Sequence, residues 1–226
     1  MGRNGEHRPP RPSIELLTEP ASEGEAAAIS AQVLTGGPGS VGVIGCGVNG
    51  SWTARCLAAA GYGPGVCADR RSGLAARLAS ELGWEVGDRS DAAAQQVVAT
   101  ITPGTARVIF ASDLRPGQHL AVLGADAKGK AEVELAAIER CRLFCDEWEQ
   151  ASSGGELAAG VAAGIVSRDQ VTQLGDVLAG GAPGRRSASE VTLFDSTGLA
   201  IQDLAIAISV YEAWQRNEVQ AQSIAL

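Results

Sequence analysis

Two short stretches hold residues that could do chemistry. "GVIGCGVNG" spaces Gly45, Gly47 and Gly50 as G-x-G-x-x-G, and "LAVLGADAKGKAE" sets Asp126 at the end of an apolar run, in a glycine loop with Lys128 and Lys130 just behind it. The glycine spacing seats a pyrophosphate when it follows a strand and opens a helix, with an acidic residue about twenty positions further on. Gly45 then permits the sharp turn, Gly47 lets the backbone approach the phosphates, and Gly50 lets helix and strand pack closely, while the helix amino terminus faces the anion. Asp69, ending "GVCAD", falls where a carboxylate accepts from the adenosine ribose and favours NAD. Arg70 and Arg71 beside it could hold a 2′-phosphate, which leaves NADP open. In a chain with 29 glycines, the plain alternative is a turn with no ligand. Ligands of parallel sheets gather beyond the carboxyl ends of the strands, so a carboxylate ending a late strand can reach a bound substrate. The plain alternative for Asp126 is the cap of a turn or helix start.

The elements that must position these residues alternate. "VGVIGCG" predicts a strand and "NGSWTARCLAAAGY" a helix, with Trp52, Cys56, Leu57 and Ala60 at helical spacing. "GVCAD" is a second strand, "RRSGLAARLASELG" a helix closing at Gly83, "WEVGD" a third strand and "SDAAAQ" a short helix. "QVVATIT", "GQHLAVLGAD" and "RCRLFCD" continue as strands, and "EVTLFDSTG" is the last. Strands alternating with helices and lacking hairpin turns predict an α/β, Rossmann-like doubly wound parallel sheet, here with a reduced helical second domain. Ahead of it, "ASEGEAAAISAQVL" reads as a helix with Ser22 and Glu25 placed as a capping box. From Ser152 to Ser187 the sequence reads as short helical pieces cut by glycines. The helix Leu199 to Trp214 is apolar on most faces and must be buried, in its own domain or against another chain. The expected division is a disordered basic tail over 1–13, a helical lead-in over 14–38, a nucleotide-binding domain over 39–198, and a carboxy-terminal helix over 199–226.

Composition narrows the function classes. At 226 residues the chain supports one substantial domain, and 45% hydrophobic with 19% charged residues predicts a soluble globular protein. A net charge of -8 argues against a phosphate backbone as partner, and no apolar run predicts a membrane span. The basic opening "MGRNGEHRPPRP" lacks the apolar core of a secretory signal, so the expected location is cytoplasmic. Cys46, Cys56, Cys67, Cys141 and Cys145 form no metal-binding spacing and read as reduced thiols; Cys141 and Cys145, four apart, could also share one helical face. With only His7 and His119 present, no histidine metal site is expected.

With its later motifs added, the chain resembles the ornithine cyclodeaminase/mu-crystallin family. "GVIGCGVNG", "VVATITP", "LRPGQHLAVLGADAKGKAE", "LGDVLAGGAPGRRS" and "TLFDSTGLAIQDLA" fall in that family's order and spacing between about Val41 and Ala207. The resemblance implies NAD(P) as cofactor and a small amino-acid substrate handled at its Cα–N bond. It implies that Val48 and Asn49 lie under the pyrophosphate. Arg70, Thr100, Leu123, Gly124, Ala125, Lys130, Ser196 and Thr197 would contact other parts of the cofactor, with Gly198 near the substrate. It also implies that Asp126 is the acid/base carboxylate beside the nicotinamide. His119 most simply supports its strand, and Lys128, flanked by glycine, serves solubility rather than Schiff-base chemistry.

The chain departs from the family at the front, where about a hundred residues of substrate-binding and dimer-forming structure are usual. The arginine that normally clamps the substrate carboxylate is absent; Ser22 and Glu23 stand near its place. Arg185, Arg186 or another subunit would then supply the charge, or the substrate is larger or tethered to a carrier or peptide. Uncovered apolar faces on the first and last helices imply a homodimer or a companion protein. Three readings follow: an imine or ketimine reductase or amino-acid dehydrogenase, a cyclodeaminase with catalytic NAD, and a non-catalytic nucleotide-binding or partner-binding remnant.

Overall fold

The computed structural model describes residues 15–125 and 129–219. The expected basic tail over 1–13 and the stretch Asp126 to Lys128 lie outside the described residues. A long first helix, α1 (Glu15–Leu34), leads into β1 (Val41–Ile44), α2 (Val48–Ala59), β2 (Gly65–Ala68), α3 (Ser72–Leu82), β3 (Glu85–Val86), α4 (Arg89–Ala93), β4 (Val97–Thr100) and β5 (His119–Val122). The second half runs through α5 (Leu135–Ile138), β6 (Arg142–Cys145), α6 (Trp148–Ser153), α7 (Ala158–Ala162), β7 (Val171–Gln173), α8 (Leu174–Leu178), β8 (Thr192–Asp195) and α9 (Ala200–Gln215). All strands join one parallel sheet of eight, ordered β3-β2-β1-β4-β5-β8-β6-β7.

The strand sequences are near-continuous apolar runs because both sheet faces are covered. Val41, Val43, Cys67, Val97 and Ala99 face α1, α2 and α3, packing on Ala31, Leu57 and Leu78. Ile44, Val98, Leu120, Val122 and Leu193 face the other way, onto Ala92, Ile138, Ala151 and Leu157 of the opposite layer. Local signals agree with this packing. Gly83 takes the left-handed conformation (φ 67°) that ends α3, and Asp88 caps α4 in a reciprocal pair with Asp91.

Four features depart from the sequence reading. Helix α1 begins at Glu15, so Ser22 lies inside it; its buried hydroxyl donates to Asp203 Oδ1 at 3.0 Å instead of capping a helix start. The glycine-cut region holds β7, whose three residues are too few to show a period. Cys141 and Cys145 share no helix, because Cys145 ends β6; all five cysteines are free. The first helix has no uncovered apolar face over 26–34, because Ala26, Ala27, Ala28, Ala31 and Leu34 are buried against the sheet and its covering helices. The uncovered face belongs to α9, which buries none of its described residues and exposes Ile201, Leu204, Ile208, Tyr211 and Trp214. Its apolar stripe finds no cover among the described residues.

Two side chains tie α1 to the sheet. His119 on β5 is fully buried, with Nε2 3.1 Å from Ser30 Oγ on α1 and Nδ1 2.8 Å from Thr192 Oγ1 on β8. Arg185 donates from Nε to Leu34 O at 2.7 Å and from Nη1 to Gly117 O at 2.6 Å, closing the amino-terminal edge of the sheet. That placement corrects the expectation that Arg185 could meet a substrate carboxylate, since ligands of such a sheet lie at its opposite edge. Arg186, through its backbone N–H, is bonded to Glu190 on the same far side.

Burial first, and Arg185 second, push the His119 imidazole down from 6.5 to about 3. The unfolded chain therefore takes up a proton that the native state refuses, so His119 lowers stability as pH falls from 6.5 towards 3. Urea titrations of the wild type and His119→Gln should diverge on acidification, the wild type losing about 2 kcal/mol more between pH 6.5 and 5. Parallel curves would remove this role.

Candidate functional site

The sheet register sets the site. Ile44 pairs with Ala68 and Thr100, Thr100 with Val122, Val122 with Asp195, and Asp195 with Cys145. Six strands therefore end on one line, and the residues that follow them form a common rim. The ladder continues one step past it: Gly45 N–H donates to Ala68 O at 2.9 Å, Ile101 N–H to Ile44 O at 3.0 Å, and Leu123 N–H to Thr100 O at 2.9 Å.

At the glycine turn the three glycines differ in what demands them. Gly45 has φ 100°, and a Cβ there would strike the Ile101 carbonyl; a Cβ on Gly50 would strike the Gly45 carbonyl. Gly47 has φ -69°, open to any residue, and the nearest atom to a Cβ would be Arg71 Nη2 at 3.9 Å. Nothing in the chain needs that position to be glycine. Gly47 heads α2 with no side-chain cap, and the first turn carries no acidic residue. An uncapped helix start under a bare backbone fits a pyrophosphate.

Asp69 braces this turn. Its Oδ2 accepts from Cys46 N–H at 2.7 Å and its Oδ1 from Arg71 N–H at 2.7 Å, with Arg71 Nε 3.6 Å away. Arg71 thus leans over the turn, while Arg70 is exposed beside it. Cys46, between the glycines, is a buried thiol whose pKa is raised by the neighbouring Cys67 and by burial, so it is chemically inert.

Beyond β4 and β5 the rim is organised by a residue the sequence reading passed over. Glu132, fully buried, accepts from Thr100 Oγ1 at 2.8 Å, Thr102 N–H at 2.7 Å, Thr102 Oγ1 at 2.6 Å and Gly124 N–H at 3.0 Å. Burial raises its pKa, and these four bonds oppose the rise. Behind it, Glu156 accepts the N–H groups of Glu132 and Val133, each at 2.8 Å, and burial pushes it up to about 7. Asp195 accepts Leu157 N–H at 3.0 Å, its Oδ1 is buried with no hydrogen-bond partner, and burial holds its pKa well above the usual range. Asp146, next after β6, gathers Thr197 N–H at 2.7 Å, Thr197 Oγ1 at 2.9 Å and Gly198 N–H at 3.1 Å.

Gly45, Gly47, Val48, Asn49, Gly50, Asp69, Thr100, Leu123, Gly124, Ala125, Ser196, Thr197 and Gly198 therefore share one rim. Val48 is exposed, while Leu123 and Ala125 are buried. The Thr100 hydroxyl is taken by Glu132, and Ser196 Oγ reaches Asp146 at 3.3 Å. Lys130 is half-buried, and Asp126 falls outside the described residues. One signal was present for part of what was missed: "GVCAD", "LGAD", "LFCD" and "LFD" all end an apolar run on aspartate. Glu132 has no such mark, because its partners lie up to 32 residues away. Among the described residues, no group of His, Cys, Asp and Glu could hold a metal ion, and no helix is long and apolar enough to cross a membrane.

Comparison with known proteins adds the following. The family model for the ornithine cyclodeaminase/mu-crystallin family matches residues 24–218. The alanine dehydrogenase of Archaeoglobus fulgidus is 41% identical over 117 residues, 51% of this chain and 36% of that protein. The iminosuccinate reductase of Paracoccus denitrificans is 43% identical over 116 residues, again 51% of this chain and 36% of the relative. The chain thus spans 36% of the length of these two curated relatives. A solved archaeal alanine dehydrogenase dimer with bound NAD aligns with a TM-score of 0.82 at 31% identity, over 91% of this chain and 68% of that one.

The contrast between glycines gives a test. Gly47→Ala should leave the thermal midpoint unchanged and weaken ADP binding by about tenfold, the cost of one displaced phosphate contact. Gly50→Ala should instead lose about 2–3 kcal/mol of stability, as overpacking against backbone does. Calorimetry with ADP and thermal melts separate the two; equal behaviour would contradict the geometry.

Proposed function

The chain belongs to the ornithine cyclodeaminase/mu-crystallin family, and we propose that it is an NAD(P)-dependent oxidoreductase acting at the C–N bond of an amino-acid-like substrate. One observation carries the reading: the glycine turn after β1 and the loop bearing Asp126 after β5 leave the same rim, separated by β4 alone. Gly45, Gly47 and the first turn of α2 would hold the pyrophosphate, and Asp69 the ribose, with Arg71 rather than Arg70 closer to the turn. A bound nicotinamide supplies a hydride or accepts one. The chain's own part is to orient and to move a proton: Asp126 gives or takes it at the substrate nitrogen, directly or through water. Gly198, held by Asp146, forms the facing lip.

With Arg185 and Arg186 turned to the opposite edge, the cation for a substrate carboxylate comes from a second copy. Helix α9 supplies the surface. Ile201, Leu204, Ile208 and Tyr211 recur at three- and four-residue intervals, a continuous exposed stripe. In this reading, residues 39–198 are the nucleotide-binding unit, and α9, lying on α1, is the surface through which two copies meet as a homodimer.

Incubation with NADH or NADPH and small cyclic or acyclic imino acids should consume nicotinamide absorbance at 340 nm. Asp126→Asn should cut kcat by about 10²–10⁴-fold with nucleotide affinity kept. Turnover that releases ammonia without net absorbance change would make the protein a cyclodeaminase, and nucleotide binding without turnover by any such substrate would make it a binding remnant. Ile208→Glu should shift the sedimentation coefficient from dimer to monomer; an unshifted coefficient removes α9 from the interface.

A further inference from the structure

Glu132 carries more of the site than its place in a loop suggests. Each of its carboxylate oxygens receives one peptide N–H and one hydroxyl: Oε1 from Thr102 N–H and Thr102 Oγ1, Oε2 from Gly124 N–H and Thr100 Oγ1. Thr100 and Thr102 belong to the exit of β4, and Gly124 to the exit of β5. A single side chain therefore joins the ends of two neighbouring strands. Glu132 is itself held from behind, because its N–H and that of Val133 donate to Glu156 at 2.8 Å. The approach is tight: a Cβ on Gly124 would meet Glu132 Oε1 at 2.6 Å.

We propose that Glu132 is the positioning residue for the half of the rim built on β4 and β5. It clasps the exits of these two strands so that Thr100, Thr102 and Gly124 hold one arrangement where the nicotinamide would lie, while the adenosine half, built on β1 and β2, stands without it. The proposal rests on the nucleotide-dependent reading above. Its chemical demand is narrow. All four groups pointing at Glu132 can donate, and two of them, the N–H groups of Thr102 and Gly124, can only donate. They fall on different oxygens, so a glutamine in either orientation would set its own NH2 against a peptide N–H. A carboxylate is the only side chain of this length that satisfies both. Aspartate keeps the charge but is one methylene too short to span the two exits.

Glu132→Gln and Gly124→Ala perturb the clasp from its two sides, the first by hydrogen bonding and the second by volume. In the full-length protein each should bind ADP within about twofold of the wild type, whereas NAD affinity falls by about tenfold, the loss of roughly one good contact. Hydrogen exchange should accelerate at the amides of Thr102 and Gly124, with β1 and α2 protected as before. Where turnover is measured, kcat falls and Glu132→Asp recovers part of it. Equal losses of ADP and NAD affinity, or unchanged exchange at Thr102 and Gly124, would overturn the proposal by reducing Glu132 to general stability or to nothing. The two readings fail separately. A wild type that binds NAD but turns over no imino acid defeats the enzyme reading alone, and an active wild type with unimpaired Glu132→Gln defeats the clasp alone.

Discussion

Most loops leaving the carboxyl edge of the sheet carry peptide N–H groups that find no strand partner, and a carboxylate receives them. Asp69 takes those of Cys46 and Arg71, Glu132 those of Thr102 and Gly124, Glu156 those of Glu132 and Val133, Asp195 that of Leu157, and Asp146 those of Thr197 and Gly198. A buried backbone donor left unpaired costs about as much as a lost hydrogen bond, so where the irregular backbone of the rim is buried, as at Gly124, Glu132, Val133 and Leu157, acceptors must be built into it. The turns that form the site exist because these side chains do.

The same arrangement concentrates acidic groups on the rim where the proposed pyrophosphate and substrate carboxylate would lie. Burial pushes Glu132, Glu156 and Asp195 towards protonation, while the donated N–H groups pull them back. For Glu156 burial prevails over its two donated N–H groups and pushes it up to about 7. The backbone dipoles at the start of α2 oppose this negative field on the side where phosphate is expected. Residue type alone does not separate a proton-transferring carboxylate from one that only accepts N–H groups; the separation comes from what each oxygen already holds.

Much of this was legible in the sequence and some was not, for reasons of range. The glycine turn, its strand and its helix are written within the single stretch Val41 to Ala59, and Gly83 closes α3 by purely local means. The strand runs, buried on both faces, announce a covered parallel sheet. Ser22 misled because its pairing with Asp203 spans 181 residues, whereas a capping box is judged over four. Arg185 misled in the same way: a guanidinium in a glycine-rich loop looks available until the fold brings Leu34 O and Gly117 O to it. Glu132 gave no sign because its work depends on two strand exits meeting, a fact of register rather than of spacing.

The outermost strands bear on how the molecule meets its neighbours. At one border β3 is two residues long, with Glu85 and Val86 both exposed, and at the other β7 has three. Borders so brief, one of them bearing a charge, give a foreign strand almost no ladder to extend, which suppresses sheet-to-sheet polymerisation and the fibrous contacts it leads to. Association in crowded solution is thereby steered away from the backbone and onto side chains, where a two-fold contact of the kind proposed for α9, being self-matching, would close and then stop.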